Sequence, residues 1–384
     1  MRALKALPVA MFLALLCLPA VVRVVGHPKI PPLEEYRVLA KRPHLGELLH
    51  HKLHFLDYTK LLDAWYSDNF ATRPFWVRLH TQILYSLFQE SDQVYVGKQG
   101  WLYYHTVVDI DTPMLESKTA ADRKALRDHY ATLSALLKAK GITLYVMPLA
   151  LKPNYYPEFL PARAEHAVHT KFFDTFMDEG DADGRFNLID TRRAMWDAKR
   201  SGVKLFHQTD FHWTDPAGGL ATRQLARAIA TADGKPALAD TWTWDVTVMS
   251  KLSGGQARAL PLFRAPSETS YGVTAKTPVT DFTYNFTPPG LEFTGVAKPG
   301  PGERLSPVFV FGDSFFDAPT RAGFYSLFQS FARARMFTNP MVPAFHNRQP
   351  GTRFMVVEGI INGLDATDAE VVRLIDALKA DPQL

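Results

Sequence analysis

The sequence predicts an α/β domain with a largely parallel central sheet, and three observations carry that expectation. Short, wholly apolar runs recur: Ile142-Thr143-Leu144-Tyr145-Val146-Met147, Val308-Phe309-Val310-Phe311 and Phe354-Met355-Val356-Val357. Runs without polar alternation belong to strands covered on both faces, as parallel sheets require. Segments with helical spacing interleave with them, at Thr119 to Lys140, Pro216 to Thr231 and Thr367 to Ala380. Helices alternating with buried strands are the pattern of crossover connections.

In chain order, residues 33–95 read as helical, with apolar clusters at Leu45 to Leu49 and Trp76 to Leu79. His44, His50, His51 and His54 fall here without an acidic or cysteine partner at ligand spacing, so they read as a solvated helix face. Val94 to Tyr104 alternates around a Gly97-Lys98-Gln99-Gly100 turn, which predicts a hairpin. The helix Thr119 to Lys140 aligns Leu126, Tyr130, Leu133, Leu136 and Leu137 and stops at Gly141. The strand Ile142 to Met147 ends at Pro148, and Phe186 to Ile189 is a further short strand. Between about 235 and 305 the chain is rich in Pro, Gly and Thr. There Trp242, Trp244, Val246 and Val248 alternate with polar residues, predicting a half-exposed strand within a small β-rich insertion. A helix is expected from Arg321 to Ala334, after the strand Val308 to Phe311.

The bulk numbers narrow the class. With 47% hydrophobic and 21% charged residues, the 384-residue chain has ordinary globular composition, which excludes a disordered chain. The single cysteine, Cys17, excludes an intrachain disulfide and a multi-cysteine metal site. The net charge is +4, and setting aside Arg2, Lys5 and Arg23 leaves +1, too weak a field to predict a nucleic-acid partner. Those three charges bracket an apolar run from Leu7 to Val22, the pattern of an export signal. At 16 residues the run is shorter than the ~20 a bilayer span needs, so residues 1–26 read as a signal peptide or, with Val24 and Val25 added, an uncleaved signal anchor. The protein is expected to be exported and to work on or near the outer face of a membrane. Residues 27–92 follow as an N-terminal helical region and 93–384 as the α/β domain.

The chemistry concentrates in two segments. Val308-Phe309-Val310-Phe311-Gly312-Asp313-Ser314-Phe315 puts a serine where a buried strand leaves the sheet, the edge at which open α/β sheets bind ligands. There its hydroxyl faces the crevice and its own N–H can meet a developing oxyanion. Thr209-Asp210-Phe211-His212-Trp213-Thr214 offers the base that a serine hydroxyl needs and the acceptor that fixes the imidazole tautomer. Two residues apart on an extended segment, Asp210 and His212 project to the same side. The same stretch also reads as a helix start, with Thr214 or Asp215 before Pro216. His207-x-x-Asp210-x-His212 is a rival pattern that could hold a divalent metal.

Together these motifs resemble a known family. Gly97-Lys98-Gln99-Gly100-Trp101-Leu102-Tyr103, Asp210-Phe211-His212-Trp213 and Gly312-Asp313-Ser314-Phe315 are similar, in this order, to the SGNH hydrolase-like domain of bacterial alginate O-acetyltransferases, a group that includes enzymes of acetylated-cellulose biosynthesis. The resemblance covers about residues 90 to 365. Ordinary SGNH hydrolases open on the serine block and close on the acid and base. Here the acid and base come first, the circularly permuted order of this family. The resemblance implies a three-layer fold with a parallel central sheet and a periplasmic enzyme that acetylates hydroxyls of an exopolysaccharide, alginate or bacterial cellulose. Ser314 would carry the acetyl group, His212 would be the base and Asp210 its partner, with no cofactor and no metal. It further implies a membrane-bound O-acyltransferase that supplies acetyl, and other polymer synthesis and export proteins. Tyr103, Arg321 and Asn347 are candidates for the remaining oxyanion donors, and Trp213, Trp101 and Tyr104 for sugar platforms, although core packing competes for each aromatic. Two other readings stay open: a secreted carbohydrate acetylesterase with the same triad, and a non-catalytic polysaccharide-binding scaffold.

Overall fold

The computed structural model describes residues 38–50, 52–167, 171–276, 282–285, 290–299, 302–381 and 384, with 8, 11–14, 17–19, 21–22 and 33 near the start. Much of the expected export segment, Leu7, Pro8's followers and Leu16 among it, lies outside the described residues, as does His51. Among the described residues no helix is long and apolar enough to cross a membrane.

The chain divides into two units, residues 1–91 with 258–265, and the remainder. The first contains a short helix at Leu45–Leu49, then α1 (Phe55–Asn69) and α2 (Arg73–Ile83). Arg78 donates to the Leu262 carbonyl at 2.7 Å, and Phe75 packs on Phe263, so the 258–265 segment is tied to α2. His44, His50 and His54 are exposed, as a solvated face requires.

The second unit opens with the predicted hairpin, β1 (Val94–Val96) and β2 (Leu102–Tyr104). Two successive left-handed residues, Gln99 (φ 56°) and Gly100 (φ 78°), make its turn. Next come α3 (Ala120–Ala139), β3 (Thr143–Leu149), α4 (Lys171–Asp183), β4 (Asn187–Leu188), α5 (Arg192–Arg200) and α6 (Asp215–Ala232). Thr119 starts α3 through a reciprocal cap, its hydroxyl accepting from the Asp122 N–H while Asp122 accepts from the Thr119 N–H. β5 (Trp244–Leu252) and β6 (Glu268–Ala275) pair as an antiparallel ribbon, and Val246 and Val248 on it are exposed. β7 (Phe282–Asn285) and β8 (Phe293–Ala297) then lead to β9 (Val308–Gly312), α7 (Asp317–Arg321), β10 (Ser330–Arg335), β11 (Phe354–Ile360) and α8 (Asp368–Ala380).

The seven-stranded sheet runs β4-β3-β11-β9-β10-β8-β7. Its first five strands are mutually parallel, and β8 and β7 extend one edge antiparallel. The three runs read as buried strands are the consecutive neighbours β3, β11 and β9, and every residue of β9 is buried. The stretch read as an insertion thus makes two things: the β5–β6 ribbon and the antiparallel extension of the sheet.

One expectation fails. Arg321 to Ala334 is not a helix: α7 ends at Arg321, Gly323 turns the chain at φ 81°, and Ser330–Arg335 is β10. Phe324, Leu327, Phe328 and Phe331 keep helical spacing, yet the first three pack from a tight turn and the fourth from a strand. Burial of β10 between β9 and β8 decides the matter, because Arg333 and Arg335 find partners there in Glu292 and Asp317.

α6 is pressed tightly against its neighbours through two glycines. A Cβ on Gly218 would stand 2.7 Å from the Ala318 Cβ and 2.8 Å from the Trp213 indole nitrogen, and one on Gly219 would strike Trp244 at 2.7 Å. Alanine gains about 1 kcal/mol over glycine inside a helix, whereas overpacking costs about 1–3 kcal/mol. Gly218→Ala is therefore expected to lower stability in a denaturant titration. A rise would show that α6 does not press on Trp213.

Candidate active site

The acid and base lie in a closed loop between α5 and α6. Phe206 bridges Trp213, the His207 N–H donates to the His212 carbonyl (3.2 Å), and the Thr214 N–H donates to Leu205 (2.8 Å). The crossing gathers residues 207–212 into a loop before Thr214 caps α6 from its hydroxyl. The helix start read in this segment is present, directly after the loop that carries Asp210 and His212.

Within the loop Asp210 and His212 do share a side. Asp210 Oδ1 meets His212 Nδ1 at 2.6 Å and also accepts the His212 backbone N–H at 3.0 Å. Oδ2 accepts the N–H of Gly255. Burial alone would raise the Asp210 carboxyl, but the hydrogen bonds from His212 and Gly255 and the imidazole's charge outweigh it and hold the carboxyl well below the usual range. A carboxylate only accepts, so the imidazole proton sits on Nδ1 and Nε2 keeps its lone pair. That lone pair faces the Ser314 hydroxyl at 2.7 Å. Ser314, His212 and Asp210 thus form a continuous relay of donor and acceptor.

The serine stands where β9 ends. Ser314 opens a single tight turn, Ser314–Phe316, so its backbone N–H has no partner within that turn. Its two predecessors are structural. Gly312 lies so close to Glu358 on β11 that a Cβ would stand 2.8 Å from Glu358 Oε2. Asp313 accepts the N–H groups of Phe315 (2.7 Å) and Ile360 (2.9 Å), pinning the turn to the end of β11. Burial raises the Asp313 carboxyl, against those two bonds and the nearby charges of His212 and Arg333. Glu358 is fully buried beside it, and burial together with the neighbouring Asp313 pushes its carboxyl well above the usual range. Arg333, equally buried, donates to the Asp313 carbonyl at 2.8 Å and pairs with Asp317 at 2.7 Å.

The other sequence candidates fall in different places. Trp213 is buried and donates its indole N–H to the Phe315 carbonyl at 2.8 Å, so it braces the serine turn. Trp101 is buried and stacks on Phe159. Tyr103 is buried and its hydroxyl donates to the Tyr156 carbonyl, so that group is not presented as an oxyanion donor. Arg321 grips Asp215 with two nitrogens and leaves 54% of its side chain exposed. Tyr104, partly buried, lies edge-near Phe211 with ring centres 5.9 Å apart. Asn347 caps the short helix Met341–His346, on the crossover from β10 back to the start of β11.

The metal pattern does not assemble. His207 points its Nδ1 to Ser270 Oγ at 2.6 Å, away from the shared use of Asp210 and His212, and no group of three acidic, histidine or cysteine ligands converges among the described residues. Glu268 carries no local signature and was missed in the sequence. This buried β6 residue takes the Thr209 N–H (2.6 Å), the Thr209 hydroxyl (2.7 Å) and the Gln208 N–H (2.8 Å), and pairs with Lys204. Burial works against its charge, yet Lys204 and those donors hold its carboxyl below the usual range. Glu268 and Gly255 both come from the stretch read as an insertion, and only pairing of β5 with β6 brings them under the loop.

The chain is 28% identical over 181 residues to a probable alginate O-acetylase AlgJ of Pseudomonas fluorescens, a match covering 45% of this chain and 43% of that protein. The chain thus spans less than half the length of the curated relatives it matches. Bacillus cereus PatB1 shares the fold, with a TM-score of 0.53 at 14% identity over 72% of this chain and 97% of that one. The O-acetyltransferase domain of Pseudomonas putida AlgJ aligns over 74% of this chain and 99% of that domain, at 18% identity and a TM-score of 0.48. Residues 94–285, half of the chain, match the family described as the SGNH hydrolase-like domain of acetyltransferase AlgX, and the chain belongs to that family.

Proposed function

We propose that the protein is an O-acetyltransferase that acetylates hydroxyl groups of an exopolysaccharide through an acetyl-serine at Ser314. The observation that carries the reading is the unbroken Asp210–His212–Ser314 relay, with contacts of 2.6 and 2.7 Å, in a chain of an acetyltransferase family. In the first half-reaction His212 Nε2 takes the Ser314 proton as Oγ attacks the acetyl carbonyl. The tetrahedral oxyanion forms beside the Ser314 N–H, and the leaving group departs with the proton from His212. In the second half-reaction His212 deprotonates a sugar hydroxyl as it attacks the acetyl-serine carbonyl, the Ser314 Oγ–acyl bond breaks, and His212 returns the proton to Oγ as the sugar ester leaves. Asp210, ionised throughout, keeps the Nδ1 proton in place and balances the imidazolium. The polymer is alginate or bacterial cellulose, the setting is the periplasm, and a membrane-bound O-acyltransferase supplies the acetyl group.

Intact mass after incubation with p-nitrophenyl acetate tests the first half-reaction. The expected adduct is one acetyl group in the parent and none in Ser314→Ala. An equal adduct in the variant would overturn the assignment. Supplying cello-oligosaccharides and alginate oligomers to the acetylated protein then reads the acceptor, and discharge to water alone would instead favour the esterase.

Asp210→Asn is expected to slow serine acetylation by about 10²–10⁴-fold with KM for the ester little changed, since it removes orientation rather than binding. Its stability has a pH signature as well. A carboxyl held low in the fold contributes stability that is complete above the unfolded value near 3.9 and is lost as pH falls through its lower folded value. The stability gap between parent and Asp210→Asn should therefore be widest near neutrality and narrow below about pH 4. A gap that widens on acidification would contradict the assigned ionisation.

A further inference from the structure

Just past the end of β3, Lys152 is buried to 1% exposure, in a place where an ammonium is costly. Its surroundings are built for it. Nζ lies 2.7 Å from the Asp210 carbonyl, 3.1 Å from that of His207, 3.3 Å from that of Gln208 and 2.8 Å from Gln256 Oε1. The rings of Trp101 and Tyr103 lie under the same nitrogen, with centres at 5.6 and 5.2 Å. Those rings come from the hairpin motif, which the triad chemistry leaves without a role. The hairpin also holds the loop directly: the Leu102 N–H donates to the Gln208 carbonyl at 3.0 Å, and the Gln208 amide donates to the Gln99 carbonyl.

We propose that Lys152 is a positioning residue for acyl transfer: its ammonium, seated on Trp101 and Tyr103, clamps three carbonyls of the 207–210 loop and so fixes Asp210 and His212 toward Ser314. The inference deepens the acetyl-transfer reading and rests on it. The clamp reaches the acid from two sides. One contact is to the Asp210 carbonyl itself, and another is to Gln256, next to Gly255, whose N–H holds the Asp210 carboxylate. A neutral residue of equal size would leave converging buried carbonyls without donors, and those would turn the loop toward water. Burial lowers Lys152 to about 7, while Asp210 and Glu268 pull it up and Lys204 pushes it down. Its hydrogen bonds go to the loop carbonyls and to Gln256, so it acts through Asp210 and His212.

The test replaces the ammonium without replacing the fold. Cys17 is the sole cysteine in the chain. In a Cys17→Ser parent, Lys152→Cys alkylated with bromoethylamine restores an ammonium of nearly lysine length, whereas iodoacetamide leaves a neutral amide. Lys152→Met and the milder Lys152→Gln complete the set, with folding checked by circular dichroism. Acetylation of Ser314 by p-nitrophenyl acetate is expected to fall about 10²-fold in Lys152→Met through kcat, with KM unchanged, and less in Lys152→Gln. Aminoethylation should restore the rate and carbamidomethylation should not. Folded Lys152→Met acylating at the parent rate, or equal rates in the two alkylated forms, would overturn the proposal. A second readout does not depend on acyl transfer: the Nδ1 proton of His212, bonded to a carboxylate, gives a far-downfield proton resonance. It should be present in the parent and the aminoethylated protein and lost in Lys152→Met. Should the parent form no acetyl adduct, the acetyl-transfer reading fails, and this resonance alone decides on Lys152, its persistence in Lys152→Met counting against the clamp.

Discussion

The hydrogen bond from the Trp213 indole to the Phe315 carbonyl joins two segments 102 residues apart, and the site depends on it. The residues immediately before its two ends are His212 and Ser314. With Trp213 and Phe315 both buried and packed edge to face at 5.4 Å, their neighbours are left to adjust by side-chain rotation alone. The net worth of such a bond is about 0.5–1.5 kcal/mol, too little to explain the fold. Its importance lies in what breaking it would cost, because an indole N–H and a carbonyl would then be buried without partners. Only one relative placement of the two segments satisfies both, and that placement brings Nε2 to Oγ.

A second set of constraints fixes each segment by itself. The serine turn is tied down from below by Asp313, which holds N–H groups from the turn and from the end of β11, and by Arg333, which holds the Asp313 carbonyl. The acid–base loop is tied from the insertion side by Glu268 and Gly255. These supports are ionisable groups in low-dielectric surroundings, where a satisfied bond is strong and an unsatisfied one is expensive. The reacting atoms themselves need little from the core. Their supports need a great deal of it.

The juxtaposition of Asp210, His212 and Ser314 was legible in the sequence because each half carries a local signature: a buried strand running into Gly-Asp-Ser, and Asp-x-His ahead of a helix cap. The parallel sheet was legible for a related reason, since β3, β9 and β11 are apolar without alternation. Legibility stopped where the deciding contact is distant. Phe324 to Phe331 has helical spacing, but β10 forms because β9 and β8 leave a slot for it, which no local window reveals. Glu268 looks like one acidic residue among threonines and serines until β6 pairs with β5. The aromatic candidates show the same limit. Trp213 and Trp101 read as sugar platforms and Tyr103 as an oxyanion donor, and the packing that decides what each ring does comes from Phe315, Phe159 and Tyr156.

The strand order also explains why the motifs can be permuted in the chain without changing the chemistry. The acid–base loop follows β4 and α5, yet its base meets a serine at the end of β9, and β3 and β11 lie between those strands in the sheet. The carboxyl ends of the two intervening strands are not idle. β3 runs out to Lys152 beneath the loop, and β11 runs out to Glu358 and Ile360 against the serine turn. Every parallel strand between the two halves therefore supplies a contact at the same edge. Because all of these strands point the same way, their ends form one surface whatever order the chain visits them in. What the chemistry requires is that a serine, an Asp-x-His loop and their supports reach that surface together. Connectivity is free to vary so long as the sheet stays parallel there, and the antiparallel strands β8 and β7 are added only on the far edge, beyond β10.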